Sequence, residues 1–239
     1  MKKLNNIGAR TLREKAYQSI KESVLTNKFM PGESLSTDLL AESLGISHTP
    51  VREAVVRLAD EGILDYEPNK KLRVSKITIK DVKQVYEVRR LLEVHVAKSI
   101  KGYLGKNAKL VERLQHLRKK TENLCQKNAR PSSYSQVDLE FNEILLFLIQ
   151  NTILKELFNL VGDRALRIRT FVEATVKSRP NGSYNLNASA QEHLRVIKAL
   201  QKGDIEKIEA SIVDHLNNSE KRTLKSIDGY WDLRHKGHP

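Results

Sequence analysis

The chain has 239 residues, enough for one large domain or two ordinary ones. Lys and Arg number 42 against 29 Asp and Glu, and the resulting net charge of +13 favours negatively charged partners such as nucleic acid, an anionic metabolite or an anionic surface. A single cysteine, Cys125, excludes an intrachain disulfide and a thiolate zinc cluster, and 5% aromatic content argues against a single-strand binder built on stacked rings. The opening MKKLNNIGARTLREK has no apolar segment, and no apolar run reaches the roughly 18 residues a membrane span needs. A reducing, cytoplasmic setting without membrane contact is the expectation. Residues 1–76 carry 13 basic and 10 acidic side chains, so charge alone does not make that end the nucleic-acid binder.

In chain order, Leu12, Ala16, Ile20 and Val24 recur every four residues and predict a first helix over 11–27. Met30-Pro31-Gly32 ends it. A short second helix follows Ser36, with Leu40 and Leu44 inward, and Gly45-Ile46-Ser47 forms a tight turn. Val51, Ala54, Val55 and Leu58 mark a third helix that stops at Gly62, a C′-type glycine. Ile63–Glu67 and Leu72–Lys76 alternate as two strands around Pro68-Asn69-Lys70-Lys71. From Thr78 onward about six helices are expected, over 78–101, 106–128, 133–150, 152–177, 187–202 and 204–227. Breaks fall at Gly102 and Gly105, at Ala129-Arg130-Pro131 and in the loop 178–183, and Asp204 reads as an N-cap. The segment 228–239 is read as a tail that is loose or packs on a neighbour.

The fold class is therefore mainly α. Residues 10–77 form a winged helix-turn-helix of three helices and a two-stranded wing, and 78–227 form an all-α bundle. The third helix buries one face and projects Ser47, His48, Thr49, Arg52, Glu53, Val56 and Arg57. A helix fits the major groove of a duplex with its first residues at base edges. Pro50 sits in the first turn, where its missing N–H costs nothing.

The segments FMPGESL (29–35), LLAESLGIS (39–47), TPVREAVVRL (49–58) and EGIL (61–64) resemble the GntR family of bacterial repressors. The resemblance implies operator contacts from Ser47, His48, Thr49, Pro50 and Arg52. Arg57 is a further DNA-facing candidate that competes with an i,i+4 pairing to its own helix face. This chain has His48 where the family usually has Arg. Its wing has Asn69-Lys70-Lys71-Leu72 where glycines are usual, which points to phosphate contact through Lys70 and Lys71.

In the bundle, Asp138 and Asn142 lie one turn apart beside the apolar stripe of Val137, Phe141, Ile144, Leu145 and Leu148. His193 shares a face with Ile197 and Leu200, and His215 with Ile208 and Ile212. Polar groups at core faces need partners, either one another or a divalent metal. The segments VYEVRRLLE (85–93), DLEFN (138–142), SAQEHLRVIKALQKGD (189–204) and DHL (214–216) resemble the FCD effector domain of the FadR subgroup of that family. The resemblance implies a Zn, Ni or Mn site at Asp138, Asn142, His193 and His215, with Asn142 standing where many members have a third His. It also implies an effector, expected to be a small anionic carboxylate, bound near Arg89, Asp138, His193 and His215, with Arg167 and Arg169 as weaker candidates.

The function expected is a homodimeric, metabolite-responsive repressor that binds double-stranded operator DNA. An acyl-CoA or another metal-independent ligand is the alternative within the family. A metal-dependent hydrolase is the outside reading, and no HExxH, general base or substrate-binding glycine loop supports it, so no enzymatic activity is expected.

Overall fold

The computed structural model describes residues 7–67, 71–126, 131–177 and 186–235. The chain divides into two compact units, Met1–Ile77 and Thr78–Pro239.

Unit 1 runs α1 (Ile7–Leu25), β1 (Ser34–Leu35), α2 (Thr37–Leu44), α3 (His48–Asp60), β2 (Leu64–Glu67) and β3 (Lys71–Val74). The four apolar residues Val51, Ala54, Val55 and Leu58 fall on one face of α3 and are all fully buried. They meet Ala16, Tyr17, Ile20 and Val24 of α1, with Ile63, Leu64, Leu72 and Val74 closing the core from the sheet side. Burying Val or Leu side chains of this kind contributes about 1.5–3 kcal/mol each, so α3 is fixed chiefly by its apolar face. Its polar face is left to solvent.

The sheet differs from the sequence expectation. It has three strands in the order β1-β3-β2, all antiparallel, with Leu64 opposite Val74 and Tyr66 opposite Leu72. The added strand is two residues long, pairing Ser34 with Arg73 and Leu35 with Leu72. No alternation is visible in two residues, and the partners lie almost 40 positions away, so local pattern could not reveal it.

Gly45 makes the turn between α2 and α3. It adopts φ 64°, the left-handed region, and its N–H reaches back to the carbonyls of Ala41 and Glu42. At the other end of α2 the Ser36 hydroxyl accepts from the Asp38 N–H.

Unit 2 is helical throughout its described residues: α4 (Ile79–Lys98), a 3-10 turn over Ser99–Gly102, α5 (Ala108–Gln126), α6 (Pro131–Phe147), α7 (Thr152–Lys177), α8 (Leu186–Lys202) and α9 (Ile205–His235). Thr78 caps α4 in a reciprocal capping box with Asp81. The main packing pairs are α4 with α9, α5 with α8, and α8 with α9. Tyr86 of α4 hydrogen-bonds Ser219 and Thr223 of α9, and Arg90 pairs with Glu220 at 2.7 Å.

The expected loose tail from 228 is corrected in part, because α9 continues to His235. The run from Ile227 to His235 contains no proline, and its one glycine weakens a helix without stopping it.

A Cβ at Gly45 would meet nothing within 4 Å, so replacing this glycine tests backbone strain alone. Gly45→Ala is expected to destabilise unit 1 by roughly 1–2 kcal/mol, read as a lower calorimetric midpoint with unchanged helix content at low temperature.

Candidate functional site

In unit 1, the start of α3 presents an exposed polar surface. Ser47 occupies the N-cap without using its side chain, and His48, Thr49 and Arg52 are exposed beside it. Arg52 makes no ion pair among the described residues, which leaves its guanidinium available. A concave surface joins His48 and Arg52 to Ser36, Thr37 and Asp38 at the start of α2 and to Tyr66 and Lys71 of the sheet. Lys70 lies outside the described residues.

Two features were not anticipated. The His48 imidazole is paired through Nδ1 with Asp38 at 3.1 Å, a contact between α2 and α3 that no local spacing signals. At Arg57 the i,i+4 pairing is present, together with partners on α1. Its guanidinium bonds Glu14 at 2.9 Å, lies 3.5 Å from Glu61 and stacks over the Tyr17 ring at 3.6 Å. These contacts hold α3 against α1 through a cation–π and ion-pair seat, on a side chain that stays half exposed. Glu53, likewise, is paired with Arg13.

In unit 2, the structure gathers the predicted polar residues into one buried cluster. Asp138 and Asn142 stand on α6, His193 on α8 and His215 on α9, with the two imidazole rings 4.3 Å apart. His193 Nδ1 lies 3.2 Å from both the Ser189 carbonyl and the Tyr134 hydroxyl. A carbonyl only accepts, which assigns the proton to Nδ1 and a lone pair to Nε2. That Nε2 is buried without a hydrogen bond, 3.5 Å from the Asp138 carboxylate. His215 donates through Nδ1 to Glu192 at 3.1 Å, and Arg222 grips the same carboxylate with two bonds of 2.8 and 2.7 Å.

Burial pushes the His193 pKa down to about 4. Burial and the neighbouring His193 push His215 down to about 3. Burial opposes ionisation of Glu192, but the bonds from Arg222 and His215 outweigh it and bring its pKa to about 2. Both imidazoles are therefore neutral near neutral pH.

Sequence reasoning missed Glu192 and Arg222. Arg169 of α7 forms an ion pair with Asp138. Arg89 donates from Nε to Glu93 at 2.7 Å within α4. Burial lowers the Arg169 pKa; at Arg89 the Glu93 carboxylate overcomes burial and raises it. Arg167 is buried and does not line the cavity described next. A cavity of about 230 Å³ opens against this cluster, lined on its polar side by Arg89, Glu93, Asp138, Asn142, Arg169 and His215. Leu92, Leu146, Phe158, Leu166 and Val172 line the other side.

The neutral imidazoles have ligand chemistry suited to a metal, with Nδ1 of each held by an acceptor. The full set does not fit one. Among the described residues no three His, Cys, Asp or Glu side chains are placed to hold an ion. Arg169 already supplies the positive charge at Asp138, and the Asn142 amide nitrogen faces the Asp138 carbonyl and carboxylate at 2.8 and 3.3 Å.

A winged helix-turn-helix together with an all-helical bundle enclosing a polar cavity defines an HTH-type transcriptional regulator, not an enzyme. Residues 12–74 match the profile of "Bacterial regulatory proteins, gntR family", and residues 84–218 match that of the "FCD domain". The chain belongs to the GntR family, in its FCD-bearing, FadR-like branch. Among curated relatives it is 24% identical over 204 residues to the HTH-type transcriptional regulator YdhC of Bacillus subtilis, covering 84% of this chain and 86% of that one. It is 29% identical over 229 residues to the HTH-type transcriptional regulator LutR of the same organism, covering 87% and 98%. Among solved structures, Escherichia coli McbR/YncC shares the fold with a TM-score of 0.72 at 20% identity, covering 90% of this chain and 98% of that one. No helix among the described residues is long and apolar enough to cross a membrane.

The buried imidazoles predict a pH dependence. Each binds a proton near pH 6.5 when unfolded but only near pH 4 or 3 when folded. Their contribution to stability is complete above pH 6.5 and is lost as pH falls toward the folded values. At pH 5 the loss is roughly 2 kcal/mol per imidazole. Thermal unfolding between pH 7 and pH 5 should show this decline, and His215→Gln should remove about half of it.

Proposed function

We propose that the protein is a homodimeric repressor in which residues 10–77 of unit 1 read operator DNA and residues 78–227 of unit 2 bind a small carboxylate-bearing metabolite and carry the dimer contact. The operator contacts are Ser47, His48, Thr49, Pro50 and Arg52, with Lys70 and Lys71 on phosphate. The observation that carries the ligand reading is the cavity beside Arg89 and Arg169. Its volume of about 230 Å³ lies below the roughly 300–1,000 Å³ of drug-sized sites, which suits a metabolite of few heavy atoms and disfavours an acyl-CoA. Asp138, His193 and His215 act in this reading as hydrogen-bonding and orienting groups. FCD domains as a class can take metal; the pairing of Asp138 with Arg169 argues against a resident Zn, Ni or Mn ion at this one.

Ile153, Leu157 and Leu160 of α7 are exposed at i, i+4, i+7 spacing and support self-association through that face. A two-fold dimer matches a palindromic operator, and ligand binding changes operator affinity by a coupling free energy of about 1–3 kcal/mol. Sedimentation equilibrium is expected to return twice the chain mass of 27.3 kDa. A monomer at micromolar concentration excludes this arrangement.

The direct test is a gel shift on DNA from the protein's own promoter across a salt series. Arg52→Ala should weaken specific binding roughly 5- to 150-fold, the loss of one bidentate base contact. Lys71→Ala should instead weaken all sequences alike and reduce the salt slope by about 0.9. Sequence-independent binding by the unaltered protein would refute the operator-reading role.

A further inference from the structure

The concave surface of unit 1 carries a carboxylate where a polyanion is to dock. Asp38 lines it together with His48, Arg52 and Lys71, and its side chain is 79% exposed. Repulsion from phosphate makes an idle carboxylate unfavourable on a DNA-reading face. Among the described residues Asp38 pairs with neither Arg52 nor Lys71. Its Oδ1 instead lies 3.1 Å from His48 Nδ1 and accepts from the Thr37 hydroxyl at 3.4 Å.

A carboxylate only accepts, so the His48 ring carries its proton on Nδ1. The two nitrogens of a neutral imidazole have opposite roles, and fixing one fixes the other. Nε2 is left with a bare lone pair, and among the described residues it has no partner. His48 is the first residue of α3, in the part of such a helix that reaches base edges, and Arg52 stands one turn further along. In the major groove cytosine N4 and adenine N6 are donors, whereas guanine and thymine present acceptors in the corresponding place. A lone pair on Nε2 therefore separates adenine and cytosine from guanine and thymine on a given strand. An arginine, which only donates, makes the opposite choice.

We propose that Asp38 is a specificity-determining positioning residue: it holds His48 in the Nδ1–H form, and Nε2 accepts from the exocyclic amine of an adenine or a cytosine. This rests on the operator-reading role of α3 and adds the class of base read beside Arg52. The carboxylate lowers affinity for the duplex as a whole and in exchange gives one ring nitrogen a fixed sense.

The test uses the full-length chain at pH 8, where an ordinary imidazole is neutral. A duplex library with a randomised centre is selected for binding, and the preferred duplex is then measured with each base pair at each half-site position. One position should prefer adenine or cytosine over guanine and thymine on one strand by about three- to ten-fold, the discrimination a single neutral hydrogen bond provides. Asp38→Ala and His48→Ala should each level that position to within about two-fold, while the position lost in Arg52→Ala keeps its preference in both. Both side chains are exposed, so neither change opens the core. Asp38→Ala should bind a scrambled duplex at least as tightly as the unaltered protein, because a negative charge has gone. Nitrogen NMR of the free protein, with His48 assigned by its absence in His48→Ala, should show the proton on Nδ1, and Asp38→Ala should move it toward Nε2. A guanine or thymine preference at the His48-dependent position, a proton on Nε2 in the unaltered protein, unchanged discrimination in Asp38→Ala, or weaker binding of that variant to every duplex alike would overturn the proposal. Specificity that still depends on Arg52 would in each of those cases leave the operator reader standing. A library from which no sequence is enriched would remove both.

Discussion

Charge inside the helical bundle is tolerated only in company. Glu192 of α8 is held by two bonds from Arg222 and one from His215, both on α9, so a single carboxylate fastens two helices and fixes one imidazole. That fixed imidazole packs against His193, which stands 3.5 Å from Asp138, and Asp138 is in turn paired with Arg169. Four of the six helices of the bundle thus meet through one polar chain. Removing one member strands its neighbour without solvent, and for that reason such a network acts as a unit.

Unit 1 is organised by the opposite principle. Its third helix is held by an unbroken apolar face, and its outward side over the first turn and a half is exposed, carrying only the surface pairs of His48 with Asp38 and of Glu53 with Arg13. Arg57 lies beyond that stretch and is engaged by Tyr17, Glu14 and Glu61. The helix start and the concave surface beside it are the part proposed to meet operator DNA.

Periodicity was informative wherever a helix buries a continuous stripe. Val51, Ala54, Val55 and Leu58 placed α3 correctly, and Gly45 marked its turn because only a left-handed residue closes α2 there. Periodicity was silent on contacts made across the chain. The two-residue β1, the Asp38–His48 pair and the Glu192–Arg222 pair join segments with no shared local pattern. Glu192 adjoins His193 in a segment that had been singled out, yet nothing in its spacing told a solvated glutamate from a buried one. Asp138, His193 and His215 lie together in one buried cluster. Its chemistry was not legible, because Arg169 arrives at Asp138 from a helix whose register relative to α6 only packing decides.

The short reach of the exposed face on α3 has a consequence for information content. One helical turn advances about 5.4 Å, against about 3.4 Å for each base pair of a duplex. A single copy of this surface therefore spells a word of only a few letters. Among the roughly 10⁶–10⁹ alternative positions a genome presents, such a word recurs many times by chance. In the proposed dimer the word is read twice at a set distance, so the geometry that spaces the two copies carries as much of the address as the side chains proposed to touch the bases.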